Sequence, residues 1–246
     1  MTASLERKRR GQGGFTLVEL AIVLLIIGLI LGGILRGQEL ITSAQLNSVQ
    51  TDANQIRTAT TTFQDKFIAL PGDYANAETA IDDSEFDNSV LNGDGNGAID
   101  VGNRIDGKNR ETTQFWTHLA ASGLLTSIDG NSINENGYNN NGGDAFSGSI
   151  GGVFSIKQGV SASFNTGDQE LSTSNQHWLL LGEGNNKIND APVLDGDKAA
   201  QLDRKIDDGQ GDSGNVRGGG TGACVNGNNG RYAVESDDNC ALALQL

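Results

Sequence analysis

Proline, cysteine and histidine are scarce in this 246-residue chain, which contains two residues of each. The low proline content excludes rigid proline-rich linkers. Cys224 and Cys240 have no further cysteine or histidine near them in the sequence, which argues against a zinc site. His118 and His177 each lie beside a tryptophan in an apolar stretch. That setting is more typical of a core residue than of a general base.

Motifs for catalysis and phosphate binding are also missing. The sequence contains no Gly-x-Ser-x-Gly nucleophile motif, no phosphate-binding loop and no His-Glu-x-x-His zinc helix. Carboxylate pairs are plentiful only because aspartate is plentiful. We therefore expect a protein that is not an enzyme.

Basic residues are few and unevenly placed. The formal net charge is −14, yet the first fourteen residues carry +3, because four consecutive basic residues from Arg7 to Arg10 outweigh Glu6. The rest of the chain, at −17, lacks the positive surface that phosphate contacts require. Nucleic-acid binding is therefore not expected. A solvated acidic surface is the simplest interpretation, with a basic partner as the alternative.

One long apolar run stands out from an otherwise polar chain. Between Phe15 and Leu35 the single charged residue is Glu19, and the run is long enough to cross the hydrocarbon layer of a membrane. The basic cluster from Arg7 to Arg10 precedes the run, so the positive-inside rule predicts a cytoplasmic N-terminus. A carboxylate in hydrocarbon costs about 2.5 kcal/mol or more. A simple anchor therefore leaves Glu19 unexplained.

The residues at the start of this run resemble the processing signature of type IV prepilins and type II secretion pseudopilins. The match covers Gly13-Gly14-Phe15-Thr16-Leu17-Val18-Glu19. The resemblance implies cleavage between Gly14 and Phe15, N-methylation of Phe15, and pairing of Glu19 with the N-terminal ammonium of a neighbouring subunit. Opposite charges in a low-dielectric setting are each costly alone and less costly together. Many family members carry a proline where this chain has Arg36, so the kink expected there is missing.

The same resemblance implies a structural subunit of a type IV pilus or of a type II secretion pseudopilus-like filament. Its partners would be identical or homologous pilin subunits, the prepilin peptidase and the inner-membrane assembly platform. The subunit would cross the inner membrane once, with a cytoplasmic N-terminus, and then enter a periplasmic or cell-surface filament. The alternative is a membrane-tethered periplasmic binding or adhesive module, in one version calcium-dependent, that does not polymerise.

An amphipathic pattern beyond Arg36 predicts that the apolar helix continues. Apolar residues and one threonine recur every three or four positions, at Leu46, Val49, Ala53, Ile56, Thr60, Phe63 and Phe67. The phrase Leu70-Pro71-Gly72-Asp73 predicts the helix end at about Phe67. The predicted organisation is a leader at 1–14, a transmembrane helix at 15–35, its amphipathic continuation at 36–70 and a globular head at 71–246.

The head is predicted to be α+β, with a small antiparallel sheet packed on the long helix and with many loops. The segment Thr112–Leu125 is predicted to form a second helix. Alternating or short apolar runs predict strands at Gly152–Ile156, Gly159–Phe164 and His177–Leu181, with Ser213–Val216 and Cys240–Leu244 as further candidates. The tail from about Pro192 onwards is predicted to be acidic and mostly looped.

Two features predict how the C-terminal part of the head is fixed. If the head is exported, a disulfide between Cys224 and Cys240 is the expected state. Pilins often fix this region with a disulfide or with calcium, and the cysteine pair resembles the first arrangement. An acidic cluster in the same region matches no defined calcium loop; it comprises Asp195, Asp197, Asp203, Asp207 and Asp208.

Calcium is the one cofactor for which the sequence offers a candidate loop. The oxygen-bearing residues Asn92, Asp94, Asn96 and Asp100 have the spacing of the first, third, fifth and ninth ligands of a calcium loop. Asn103 stands where a bidentate glutamate belongs, so calcium binding would require a carboxylate from elsewhere in the chain. A turn-rich loop without metal is the alternative.

Overall fold

The structure is a computed structural model of the whole chain, and we describe the residues whose placement it defines. These are residues 16–82, 84, 90–99, 104–105, 109–126, 128, 146–158, 176–182, 193–219, 224–226, 229–233 and 240–246. The chain divides into two compact units, Met1–Ser43 and Ala44–Leu246.

The long helix α1 extends over 51 residues, Leu17–Phe67. Its first part is apolar on all sides, and its second part buries one side in the head, at Leu46, Val49, Asp52, Ala53, Ile56, Ala59, Thr60 and Phe63. The predicted amphipathic pattern is therefore confirmed. The helix ends where it was expected to end, because Ile68 adopts a φ of +55° and Pro71 follows shortly afterwards.

The head contains three further helices. They are α2 (Ala77–Ala80), α3 (Glu111–Ala121) and α4 (Gly196–Ile206). Helix α3 is shorter than the predicted Thr112–Leu125, because Gly123 has a φ of +73° and turns the chain there. Helix α4 was not predicted: the tail after Pro192 was wrongly taken as mostly looped. Asp195 caps α4 by accepting a hydrogen bond from the backbone N–H of Lys198 across 2.7 Å.

The described strands form one antiparallel five-stranded sheet and one small two-stranded pair. The pair is β1 (Arg104–Ile105) with β2 (Asn109–Arg110). The sheet has the order β3-β4-β5-β7-β6. Its strands are β3 (Phe146–Ser147), β4 (Val153–Gln158), β5 (His177–Gly182), β6 (Val216–Gly219) and β7 (Ala241–Gln245). The predicted α+β class and four of the predicted strand locations are confirmed, and Gly159–Phe164 lies outside the described residues.

The main core lies between α1, α3 and one face of the sheet. Its large fully buried members include Phe63 of α1, Trp116 of α3 and Phe154 of β4. The opposite face of the sheet carries a smaller buried cluster of Trp178, Leu180, Ala241 and Ala243. Because both faces of β5 and β7 are buried, these strands are apolar almost throughout.

Candidate functional site

The N-terminus of α1 is closed by reciprocal hydrogen bonds between Thr16 and Glu19. The backbone N–H and the Oγ1 hydroxyl of Thr16 donate to Oε2 of Glu19 across 2.8 and 2.9 Å. The backbone N–H of Glu19 lies 3.2 Å from Oγ1 of Thr16 and donates to it. This is a capping box, in which side chains satisfy backbone groups that a helix leaves unpaired at its start. It fixes the Glu19 carboxylate within the first turn of the helix.

The helix that follows Glu19 exposes an unusual amount of apolar surface. Large apolar side chains from Leu17 to Leu35 are exposed all round the helix. The helix is long and apolar enough to cross a membrane, with a mean hydropathy of 2.8 over its most apolar window. Glu19 is therefore a lone carboxylate at the start of an apolar segment. Such a group is costly to bury unless a cation pairs with it.

The predicted calcium loop has a different geometry from the one its spacing indicated. The side-chain oxygen of Asn92 accepts a hydrogen bond from the backbone N–H of Glu78 across 3.0 Å. Asn96 donates from its side chain to Asp94 across 2.9 Å, and its side-chain oxygen accepts from the N–H of Ala98 across 2.7 Å. These bonds are turn contacts within the loop. Asp100 lies outside the described residues.

The structure instead brings Asp94 together with Asp73 and Glu111, two carboxylates that the sequence did not connect with it. One oxygen atom of each lies within 4.8 Å of the others. Oxygen ligands of this kind suit calcium or magnesium. Asp73 is also the centre of the loop, because its carboxylate accepts from the N–H groups of Asn96 and Gly97 across 3.0 and 2.8 Å. Burial raises the pKa of Asp73, and these backbone bonds oppose that rise.

The second predicted acidic cluster is divided between the two ends of α4. Asp195 caps the N-terminus of α4, and Asp197 accepts from the side chain of Gln201 across 2.7 Å. At the other end, Asp203, Asp207 and Asp208 lie close enough together to share a cation. Within the described part of the chain, each of these three also accepts hydrogen bonds from the protein. The donors are Tyr232 and Gly209 for Asp203, Asn215 for Asp207, and Gln210 and Ser213 for Asp208.

Asp203 is the most strongly perturbed of these carboxylates. It is fully buried, and the Tyr232 hydroxyl donates to its Oδ2 across 2.8 Å. Burial raises the pKa of Asp203 to about 6, and the bonds from Tyr232 and Gly209 oppose the shift. The Asp203–Tyr232 contact links the C-terminal end of α4 to the segment 224–233.

Comparison with known proteins adds one decisive observation. A family model described as the prokaryotic N-terminal methylation motif matches residues 9–35. The match includes Gly14, Phe15 and Glu19, the first two of which lie outside the described residues. The chain is type IV pilin-like.

The head of this pilin-like protein is not covered by that motif. A search of solved structures finds the major type IV pilin PilA1 from Clostridium difficile, with a TM-score of 0.38 and 13% identity over 83% of this chain and 96% of that one. A TM-score this low adds no weight to the assignment. No curated protein matches the sequence.

The C-terminal part of the pilin-like head is fixed by a disulfide between Cys224 and Cys240, as expected for an exported protein. Both cysteines are buried. Backbone bonds in both directions between Cys240 and Leu194, of 2.9 and 3.0 Å, hold the start of β7 beside the residues that lead into α4. The disulfide thus ties the segment 224–226 to the sheet.

Both histidines lie in structural surroundings. His118 is fully buried, stacks on Phe63 with ring centroids 5.9 Å apart, and bonds to the backbone on both ring nitrogens. Burial lowers its pKa to about 4. His177 lies at the start of β5, and burial lowers its pKa as well. The prediction that His118 is a satisfied core residue agrees with these contacts.

Proposed function

We propose that this chain is a structural subunit of a type IV pilus or a type II secretion pseudopilus-like filament. In this proposal the prepilin peptidase cleaves between Gly14 and Phe15, and Phe15 becomes the N-methylated first residue of the mature chain. The observation that carries the proposal is the lone carboxylate of Glu19, held at the start of an exposed apolar helix inside a methylation motif.

Cleavage would create the cation that Glu19 lacks. The new ammonium group of Phe15 on a neighbouring subunit would pair with the Glu19 carboxylate when apolar helices pack together. Each charge alone would be expensive in that environment, whereas the pair costs much less. Assembly would also remove the exposed apolar surface of α1 from lipid or water. The role of the helix is therefore structural, first as an anchor and then as the core of the filament.

The proposed location follows from the distribution of charge. The basic leader would remain in the cytoplasm, α1 would cross the inner membrane, and the acidic head would lie in the periplasm. The Cys224–Cys240 disulfide suits that oxidising compartment. The partners would be other pilin subunits, the prepilin peptidase and the inner-membrane assembly platform. The finished filament would lie in the periplasm or on the cell surface.

Replacement of Glu19 tests this proposal in cells that assemble the filament. We expect Glu19→Ala to remove the chain from sheared filaments while leaving it in the membrane fraction. Glu39→Ala is the matched control, because Glu39 is an exposed glutamate of the same helix, within 3.6 Å of Arg36. If Glu19→Ala behaved like Glu39→Ala, the chain would instead fit a tethered module that does not polymerise.

Mass spectrometry of the mature N-terminus tests the processing step separately. We expect a chain that begins with N-methylated Phe15. A mature membrane-bound chain that still begins at Met1 would contradict processing by the prepilin pathway. Pilus and pseudopilus roles separate by phenotype, since loss of surface filaments indicates the first and loss of protein secretion indicates the second.

A further inference from the structure

The exposed side of α1 within the head carries no charged residue between Thr51 and Thr62. We call this surface the neutral stripe; its residues are Thr51, Asn54, Gln55, Thr58, Thr61 and Thr62, and all of them are exposed. A face without charge is unusual for a chain whose formal net charge is −14. Solvent-exposed helix faces are ordinarily rich in charged residues.

The two charged residues of this part of α1 are turned towards the head. Asp52 is buried, and its Oδ2 accepts from the backbone N–H and the hydroxyl of Ser149 across 2.8 and 2.6 Å. Arg57 is half-buried, and two of its nitrogens donate to the carbonyl oxygen of Gln245 across 3.0 and 2.6 Å. Both charges thus have partners inside the head, and the neutral stripe remains free of formal charge.

The threonine hydroxyls of the neutral stripe already have acceptors. Each donates to the backbone carbonyl oxygen four residues earlier, over distances of 2.8 to 3.0 Å. A hydroxyl whose proton is bound in this way loses little when water is removed from it. The neutral stripe is therefore easier to dehydrate than a surface of free hydroxyls or charges.

A strained apolar residue lies just beyond the neutral stripe. Ile68 is 93% exposed, and within the described residues of the head it is the one large hydrophobic side chain in the exposed class. It is also the one non-glycine residue with a positive φ in the described part of the chain, at +55°. A β-branched residue is disfavoured in that conformation. Strain and apolar exposure at one position indicate that Ile68 has a role outside the isolated head.

We infer that the neutral stripe and Ile68 form the contact surface through which the head meets a second copy of this chain, an inference that rests on the proposed filament function. Two copies with large negative charge repel each other, so they can approach closely only through a face without carboxylates. A basic partner would be attracted to the acidic surface elsewhere. The cores of protein interfaces are also depleted in charge and contain apolar anchor residues, the role assigned to Ile68.

The first test introduces a negative charge into the neutral stripe of the full-length chain. Thr58→Glu should reduce incorporation into sheared filaments by about tenfold or more, because each copy would bring a carboxylate into the contact. Thr58→Gln keeps the site neutral and should assemble normally. Thr79→Glu is the matched control outside the stripe, since Thr79 is also exposed and also donates its hydroxyl to the backbone, at Asn76. Normal incorporation of Thr58→Glu would overturn the inference.

The second test uses the backbone conformation of Ile68. Asparagine tolerates a positive φ far better than isoleucine, so Ile68→Asn should leave the thermal midpoint of the purified full-length chain unchanged or raise it by a few degrees. The same variant should lose filament incorporation by about tenfold, because the apolar anchor is gone. A variant that is at least as stable as wild type and still assembles normally would overturn the role of Ile68.

The two levels of the proposal fail in different ways. If wild-type chain never enters filaments, the filament function itself is wrong. If wild type assembles and Glu19→Ala does not, while Thr58→Glu and Ile68→Asn assemble normally, the filament function stands and the contact surface is wrong. If Thr58→Glu and Ile68→Asn are both excluded and Thr79→Glu is not, the second copy is confirmed as the partner of this surface.

Discussion

The Nδ1 atom of His118 accepts a hydrogen bond from the backbone N–H of Gly72 across 2.9 Å. Since Nδ1 is the acceptor, Nε2 carries the proton and donates to the carbonyl oxygen of Leu91 across 2.8 Å. One neutral imidazole in α3 therefore joins the turn after α1 to the loop that begins near Val90. Gly93 lies so close to the Asp73 backbone in this region that a side chain there would collide with it.

Replacing His118 with leucine should destabilise the head by about 2–4 kcal/mol, because it leaves the Gly72 N–H and the Leu91 carbonyl without their buried partner. The free energy of unfolding of the purified full-length chain in detergent, measured with denaturant, checks this. His177→Leu is the control and should cost less, since no described hydrogen bond of its Nε2 would be lost. Equal losses in the two variants would contradict the role of His118 as a link.

The stability of the head should depend on pH in two opposing ways. The native pKa of His118 is about 4, below that of an unfolded histidine. The unfolded chain therefore binds the proton first, and stability falls as pH drops from about 6.5 to about 4, by roughly 3 kcal/mol in total. Asp203 acts with the opposite sign: its native pKa is about 6, so the native state binds the proton first and stability rises as pH drops from 6 towards 4.

Single substitutions separate these two contributions. Asp203→Asn should make the loss of stability between pH 6.5 and pH 4 steeper than in wild type, because only the His118 contribution remains. His118→Leu should flatten the loss or reverse it. Denaturant unfolding at half-unit pH steps provides the measurement. A wild-type profile shared by both variants would show that neither group controls the pH dependence.

Much of α1 could be predicted from the sequence, whereas the carboxylate sites could not. The apolar run and the pattern from Leu46 to Phe63 depend only on spacing, which a helix converts directly into faces. The grouping of Asp94 with Asp73 and Glu111 depends on how three separate segments fold against each other. Helix α4 was missed because its polar residues outnumber its buried Ala199, Ala200 and Leu202, although Asp195 was a recognisable cap.

Loss of the disulfide should weaken the C-terminal part of the head. The loop between Cys224 and Cys240 has a sequence separation of 16 residues, for which the chain-entropy model gives about 3 kcal/mol. We expect the double variant Cys224→Ala/Cys240→Ala to lose about that much free energy of unfolding, and wild type treated with a reductant to behave similarly. If reduction left the unfolding midpoint unchanged, the disulfide would not be needed once the head has folded.

The capping box at the start of α1 should influence how Glu19 is presented. Thr16→Val removes the hydroxyl with little change in shape and should weaken the first turn by about 1 kcal/mol. Thr16→Ser keeps the hydroxyl and should behave like wild type. Hydrogen exchange of the first-turn amides in micelles measures the effect. Equal exchange rates in the two variants would mean that Thr16 does not hold Glu19.

The place of β7 in the sheet has a consequence for biogenesis. β7 lies between β5 and β6 and forms ladders with both, yet among the described strands it is the last to leave the ribosome and to pass through the membrane. Until residues 241–245 arrive, β6 has no neighbour in this sheet, and Cys224 has no Cys240 to bond with. A head that is only partly translocated therefore cannot reach its native form, which delays folding until nearly the whole chain has been delivered.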